Sequence, residues 1–171
     1  GNPIAGSSVS LTLVGSGTLS GGGAVLTDAV GLATFSALSV NLTGIKRLTA
    51  ASGTLPTITS TTFTIPSAAA ATLIYAVAPG DAIAGVAMAP AVQVKVSDAF
   101  GNAVAGKSVS LALVGSGTLS GGGAVASDAA GLATFSGLSM NLAGAKQLRS
   151  EERRVGKESS AACRSRWSPE H

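Results

Sequence analysis

Residues 101–108, GNAVAGKS, match the phosphate-binding pattern G-x-x-x-x-G-K-[ST] at every fixed position. In a nucleotide site the backbone amides of such a loop surround the phosphates, and a strand precedes the loop while a helix follows it. Here the next residues, SVSLALV, alternate valine and leucine with small or polar residues, which predicts a strand. The sequence therefore predicts no nucleotide site, and it places Gly101 and Asn102 in a tight turn between two strands.

Two aspartates could contribute oxygen ligands to calcium at a junction between units, Asp98 in SDAFGN and Asp128 in SDAAG. Calcium takes about six or more oxygens, and few carboxylates are near these residues in the sequence. Aspartate commonly accepts hydrogen bonds from backbone amides just after it in a turn. We expect turn capping, with calcium as the alternative, and we predict no metal site, no cofactor site and no catalytic residue.

The end of the chain holds the only cysteine, tryptophan and histidine, which are Cys163, Trp167 and His171. Three chemistries are conceivable for this segment: a basic arm that binds nucleic acid, a metal site, and a cysteine nucleophile. Two potential ligands, Cys163 and His171, do not complete a tetrahedral metal site. A nucleophilic cysteine also needs a base, and the chain has no histidine other than His171. Mixed-charge tails are usually disordered, which is the expectation here.

The elements that must position any such residue repeat along the chain. Residues 1–48 recur without a gap as residues 101–148, and 36 of the 48 positions are identical. Within the repeat, Ser7 stands where the second copy has Lys107, so the first copy lacks the lysine of the phosphate pattern. Internal repetition of this length indicates tandem structural units.

Alternating apolar residues and Gly, Pro, Asn and Asp turns predict short strands throughout, and no long helix within the repeats. The fold class we predict is all-β, with antiparallel β-sandwich repeats. The predicted strands are residues 8–14, 24–27, 32–38, 44–51, 60–65, 72–78, 91–98, 107–114, 123–127, 131–138 and 144–148.

Three features are similar to the bacterial immunoglobulin-like repeats of invasin- and intimin-type surface adhesins. They are the D-x-x-G-N turn after a valine-alternating strand, the T/S-D-x-x-G-x-A-T-F hairpin, and the period of about 100 residues, all within residues 1–148. The resemblance implies tandem immunoglobulin-like sandwiches that form a stalk and project a binding domain from the cell surface.

A unit boundary near residue 67 divides the chain into residues 1–66, the C-terminal part of a first repeat, and residues 67–148, a second repeat without its last strands. Both units are then incomplete, and the sequence is predicted to be a piece of a longer protein. Segment 48–65 corresponds to the closing strands that the second unit lacks, so a further hypothesis is an intramolecular exchange that fills one sandwich at the expense of the other.

Residues 149–171 break the repeat, and they resemble the translation of a short-read sequencing adapter. The blocks RSEERRVGKE and CRSRWSP carry this resemblance, with Ser159 to Ala162 inserted between them. We therefore expect residues 149–171 to be a non-native disordered tail.

Without that tail, the chain has five basic and four acidic residues and contains neither cysteine nor histidine. This balance gives no support for nucleic-acid binding, and the longest apolar run, residues 68–79, is too short for a membrane-spanning helix. The function we predict is a spacer in an extracellular bacterial surface or secreted adhesin, without catalysis. Its partners would be neighbouring repeats, with host or matrix protein or glycan bound through other domains; the alternative is a carbohydrate- or protein-binding accessory module of a secreted enzyme.

Overall fold

The computed structural model describes residues 2–152, which form antiparallel β-structure throughout. The strands within these residues divide into a first unit, β1 to β7, and a second unit, β8 to β15. Their bounds are β1 (Ser8–Val14), β2 (Leu19–Ser20), β3 (Val25–Leu26), β4 (Ser39–Val40), β5 (Gly44–Ala51), β6 (Ile58–Thr59), β7 (Phe63–Ile65), β8 (Ala70–Val77), β9 (Val92–Asp98), β10 (Ser108–Val114), β11 (Leu119–Ser120), β12 (Val125–Ala126), β13 (Leu132–Phe135), β14 (Ser139–Met140) and β15 (Gln147–Glu152).

The predicted all-β fold class is confirmed by this strand pairing. No α-helix occurs within residues 2–152, so none of the described residues forms a helix that could cross a membrane.

The second unit is a sandwich of two three-stranded sheets, with strand orders β13-β9-β8 and β12-β10-β15. Alternate residues of β9 point into the space between the sheets, and Val92, Val94 and Val96 are fully buried there. Val109 of the facing sheet and Phe135 belong to the same buried cluster. Each fully buried side chain of this size contributes about 1.5–3 kcal/mol, so this cluster stabilises the unit.

Tyr75 also joins the two sheets of the second unit. It lies on β8, and its hydroxyl donates a hydrogen bond to the backbone oxygen of Leu148 on β15 at 3.0 Å. Burial raises the pKa of the Tyr75 phenol, and a hydrogen bond with Ser150 partly offsets that effect. The phenol therefore stays protonated and can donate at neutral pH.

The first unit has one main sheet, in which β3, β1, β5 and β6 are neighbours and β7 also pairs with β5. Within residues 2–152, no second sheet of this unit covers that sheet in the way β8, β9 and β13 cover the second unit. Its apolar residues are consequently less buried: Leu38 is 37% exposed, whereas its equivalent Leu138 is fully buried.

One predicted strand is wrong, and the two copies explain why. Residues 31–35 and 131–135 have the same sequence, GLATF, but only the second forms a strand, β13. Strand β13 exists because it pairs with β9, with Phe135 opposite Val92. The first unit offers no such neighbour among the described residues, so the predicted strand over residues 32–38 does not form.

Other boundaries differ in smaller ways. The strand predicted over residues 60–65 forms only at Phe63–Ile65, as β7, and the one predicted over residues 144–148 begins only at Gln147. Five two-residue strands were not predicted: β2 paired with β4, β11 paired with β14, and β6 paired with β5. They are too short to produce a recognisable alternation in sequence.

The expected disordered tail also needs a correction at its start. Residues 149–152 continue β15 and pair with β10, with Arg149 opposite Ala112. The first unit has the same register, with Thr49 opposite Thr12. Because ladder hydrogen bonds come from the backbone, a change of side chains does not end the strand. Residues 153–171 lie outside the described residues.

Candidate inter-unit interface

The GNAVAGKS segment connects β9 to β10, and its amides bond within the second unit. The N–H of Gly106 donates to the backbone oxygen of Ser127 at 2.8 Å. The N–H of Lys107 donates to the Ser127 hydroxyl at 2.9 Å, and Thr27 accepts the equivalent bonds in the first unit. These amides already have partners and a strand follows them, so the predicted strand, turn and strand are confirmed.

Asp98, at the end of β9, accepts four hydrogen bonds with its carboxylate. Its Oδ1 accepts from the N–H groups of Phe100 and Asn102, both at 2.9 Å. Its Oδ2 accepts from the N–H of Ala68 at 3.0 Å and from Nδ2 of Asn102 at 2.9 Å. The side chain therefore fixes both the turn after β9 and the entry to β8, and the predicted turn capping is confirmed.

This environment acts on the ionisation of Asp98 in two opposing ways. Asp98 is only 2% exposed, and burial by itself raises the pKa of the carboxyl. The hydrogen bonds from Asn102, Ala68 and Phe100 favour the charged form and lower the pKa by more, so it lies below its ordinary value. The Asp98 carboxyl group is therefore ionised at neutral pH.

The second predicted turn, at Asp128, has the same chemistry. Its Oδ1 accepts from the N–H groups of Ala130 and Leu132 at 2.8 and 2.9 Å, and Asp28 makes the equivalent pair of bonds. Among residues 2–152, no three Asp, Glu, His or Cys side chains are close enough to hold a metal ion together.

Asn102 extends the Asp98 turn across the boundary between the units. Its Oδ1 accepts a hydrogen bond from the N–H of Thr43 at 3.1 Å, and its Nδ2 donates to the backbone oxygen of Asn41 at 2.9 Å. The same Nδ2 also donates to Asp98. One half-buried amide therefore couples the turn of the second unit to the β4–β5 loop of the first.

The β4–β5 loop is itself held in place by Asn41. The Oδ1 atom of Asn41 accepts a hydrogen bond from the N–H of Thr18 at 2.7 Å, just before β2. Gly17 makes this approach possible, since a Cβ there would lie 2.9 Å from Asn41 Oδ1 and its φ is +106°. In the second unit, Asn141 bonds to Thr118 with the same length, 2.7 Å.

Sequence reasoning placed Asn102 in a turn but missed its contact with the other unit. A signal was available, because both asparagines of the interface recur 100 residues apart, as Asn2 and Asn102 and as Asn41 and Asn141. The third participant is not kept, since Ala143 stands at the position of Thr43. That change is compatible with the contact, because only the backbone N–H of this residue takes part.

Cys163, Trp167 and His171, for which metal, nucleophile and nucleic-acid roles were considered, all lie outside the described residues.

These observations define residues 2–152 as two antiparallel all-β units that are joined by a turn-to-loop contact. Among solved structures, the chain is similar to the D0-D1 domain of intimin, at 20% identity and a TM-score of 0.38, over 91% of this chain and 78% of that one. No family model matches the sequence. No curated protein matches it either.

Proposed function

We propose that this chain is a spacer in a bacterial cell-surface or secreted adhesin-like protein. Its repeats set the distance and direction between other domains, which bind the host or matrix protein or the glycan. Neighbouring repeats are then its direct partners, and catalysis is not part of the role. Repeated units suit this role, because each added copy extends the structure without needing a ligand site of its own.

The observation that carries the proposal is the contact of Asn102 with the loop of the preceding unit. Flexibly linked domains would leave this turn and this loop in water, but here two hydrogen bonds join them. Both partners on the loop are backbone groups, so the contact tolerates side-chain change in the loop. A series of such contacts would give successive units a reproducible orientation, which a spacer requires.

The aromatic residues favour the spacer over an accessory binding module. Sugar- and protein-binding platforms usually present several exposed rings. In the described residues, Phe100 is 60% exposed, whereas Phe135 is buried and Phe35, Phe63 and Tyr75 are half-buried. One exposed ring does not make a stacking platform.

We also propose that residues 149–171 have no function, because they are translated adapter sequence. Resequencing the source gene tests this idea directly. We expect the repeat to continue after residue 148 as it does after residue 48, and a genomic reading frame that encodes RSEERRVGKE would overturn it.

The spacer proposal is tested with an antibody against this chain and with binding assays. We expect the antibody to label intact cells that produce the parent protein, while an antibody against a cytoplasmic protein labels them only after permeabilisation. We also expect the purified chain to show no saturable binding to cell-wall polysaccharides or to an array of glycans. Saturable glycan binding would favour the accessory module, and labelling that requires permeabilisation would exclude a surface spacer.

A further inference from the structure

The two units differ at one sheet edge. In the first unit, β7 pairs antiparallel with the start of β5, placing Ile65 opposite Gly44 and Thr64 opposite Ile45. The equivalent residues of the second unit, 144–146, belong to no strand, and no described residue forms a ladder with them. The second unit therefore has an edge that is covered in its sister unit.

A cavity of about 970 Å³ lies beside this edge. Residues 79–84 form one wall, residues 142–148 form the other, and Met88 and Met140 contribute apolar surface. Two of its apolar residues are largely in water, Ile83 at 76% exposed and Leu142 at 51%. An unpaired edge beside exposed apolar side chains is a site for an added strand.

We propose that this edge binds β7 from a second copy of the chain. The strand would lie antiparallel to residues 144–146, with Phe63 opposite Lys146, Thr64 opposite Ala145 and Ile65 opposite Gly144. This register is the one that β7 and β5 adopt within the first unit. The proposal does not depend on the spacer function.

The receiving edge is chemically similar to the one that already binds β7. Residues 44–48 read GIKRL and residues 144–148 read GAKQL, so both glycine and lysine are kept. Lys46, which lies opposite Phe63 of β7, is only 2% exposed, whereas its equivalent Lys146, which has no strand opposite it among residues 2–152, is half-buried. A strand bound at the second edge would bury Lys146 in the same way.

The donor strand is weakly held where it now lies. It pairs over three residues, and its apolar residues Phe63 and Ile65 are only half-buried. Its own unit has no facing sheet among residues 2–152, whereas the second unit offers the cavity walls as well as the edge. Moving the strand therefore exchanges a shallow site for one that removes more apolar surface from water.

The tail of the same chain fits this edge poorly. The repeat has ended by this point, but the same offset of 100 residues places Cys163, Arg164 and Ser165 where Phe63, Thr64 and Ile65 would be. None of the three supplies a large apolar side chain, and one carries a charge. The second copy is therefore the occupant to which the sequence chemistry points.

Register-specific crosslinking of two full-length variants tests the proposal. Both carry Cys163→Ser, one also carries Ala145→Cys, and the other also carries Thr64→Cys. Residues opposite each other in an antiparallel pair have Cβ atoms about 4.5–5.5 Å apart, within reach of a disulfide after small adjustments. Ala145 and Thr64 are both exposed, and Ile45, the equivalent of Ala145, is 70% exposed beside β7. The two substitutions therefore do not disturb the core.

The variants are mixed under a mild oxidant, and the mixed disulfide is measured by mass spectrometry. A matched control places the donor cysteine at Thr61→Cys, outside β7. We expect about tenfold or more mixed disulfide with Thr64→Cys than with Thr61→Cys, because strand binding raises the effective thiol concentration into the millimolar range. Adding Phe63→Ser and Ile65→Ser to the donor should remove that excess.

Equal yields from Thr64→Cys and Thr61→Cys would overturn the proposal, including the case in which residues 153–171 cover the edge. An excess that survives Phe63→Ser and Ile65→Ser would also overturn the proposal, since the apolar side chains of β7 would then not contribute to binding. Circular dichroism on each variant checks that loss of crosslinking is not loss of folding.

Discussion

The Oδ1 atom of Asn102 accepts a hydrogen bond from the backbone N–H of Thr43 at 3.1 Å, and these two residues belong to different units. Asn102 can reach Thr43 because Asp98 holds the turn, accepting hydrogen bonds from both the backbone N–H and Nδ2 of Asn102. A buried charge at the end of one strand thus orients an amide that contacts the preceding unit. Local turn chemistry is in this way coupled to the relative placement of the repeats.

Replacing Asn102 with alanine should loosen the contact between the units. Two inter-unit hydrogen bonds would be lost, each worth about 0.5–1.5 kcal/mol, and the units should then tumble more independently. The measurement is ¹⁵N relaxation, which gives a rotational correlation time for each unit. Asn2→Ala is the matched control, since Asn2 is the equivalent residue and is exposed. Unchanged correlation times in Asn102→Ala would show that other contacts fix the orientation.

Equivalent phenylalanines should differ widely in their contribution to stability. Phe135 is 1% exposed within the sandwich, so Phe135→Ala should cost about 3–5 kcal/mol through lost burial and the cavity left behind. No facing sheet covers Phe35 among residues 2–152, and this side chain is only half-buried, so Phe35→Ala should cost about 1 kcal/mol. Urea unfolding is followed by NMR signals of β9 and β10 for Phe135→Ala and by signals of β1 and β5 for Phe35→Ala. Similar costs would mean that the first unit has a second layer of packing.

How much of the fold was predictable from sequence depended on whether each strand has a partner. The alternation in SVSLALV correctly predicted β10, and its copy correctly predicted β1, because each lies centrally in a sheet. GLATF gives the same local signal twice, yet it forms a strand only beside β9. Local pattern states which residues can form a strand, whereas pairing decides whether they do.

The interface was harder to predict than the strands. Turn chemistry identified Asp98, because aspartate before a glycine turn accepts backbone amides. It could not identify the role of Asn102, since the partners of this amide are backbone groups at residues 41 and 43, about 60 positions away. Backbone partners leave no residue-type signal, so only the repetition of both asparagines pointed to the contact.

The Asp98 carboxylate should make stability depend on pH in the acid range. Although burial raises the pKa of this carboxyl, its four hydrogen bonds lower it more, so the folded pKa lies below the unfolded one. The corresponding stability is fully present above the unfolded pKa, and it is lost as the pH falls through the folded pKa. The free energy of unfolding, measured by urea titration at a series of pH values, should therefore decline in acid.

An Asp98→Asn variant isolates this contribution. Its Nδ2 would face the donors of Ala68 and Asn102, so the variant should be less stable than the natural chain at neutral pH, and the difference should shrink in acid. Asp81→Asn, at an exposed position, controls for the change in net charge. A stability difference that is constant with pH would contradict a role for the ionised carboxylate.

The equivalent lysines Lys46, on β5, and Lys146, just before β15, should respond differently to loss of their serine partners. Lys46 is 2% exposed, and its Nζ donates to the Ser16 hydroxyl at 2.9 Å, whereas the half-buried Lys146 donates to Ser116 at 3.1 Å. Ser16→Ala leaves a buried donor without this acceptor and should cost about 1–3 kcal/mol.

Ser116→Ala should cost less than about 0.5 kcal/mol, because water can reach Lys146 and replace the hydroxyl. Urea unfolding of each variant gives the two costs, and equal values would show that burial of the lysine does not set the penalty. A strand bound beside residues 144–146 would exclude that water. The cost of Ser116→Ala should then rise toward that of Ser16→Ala in the crosslinked pair, which links lysine burial to occupation of the edge.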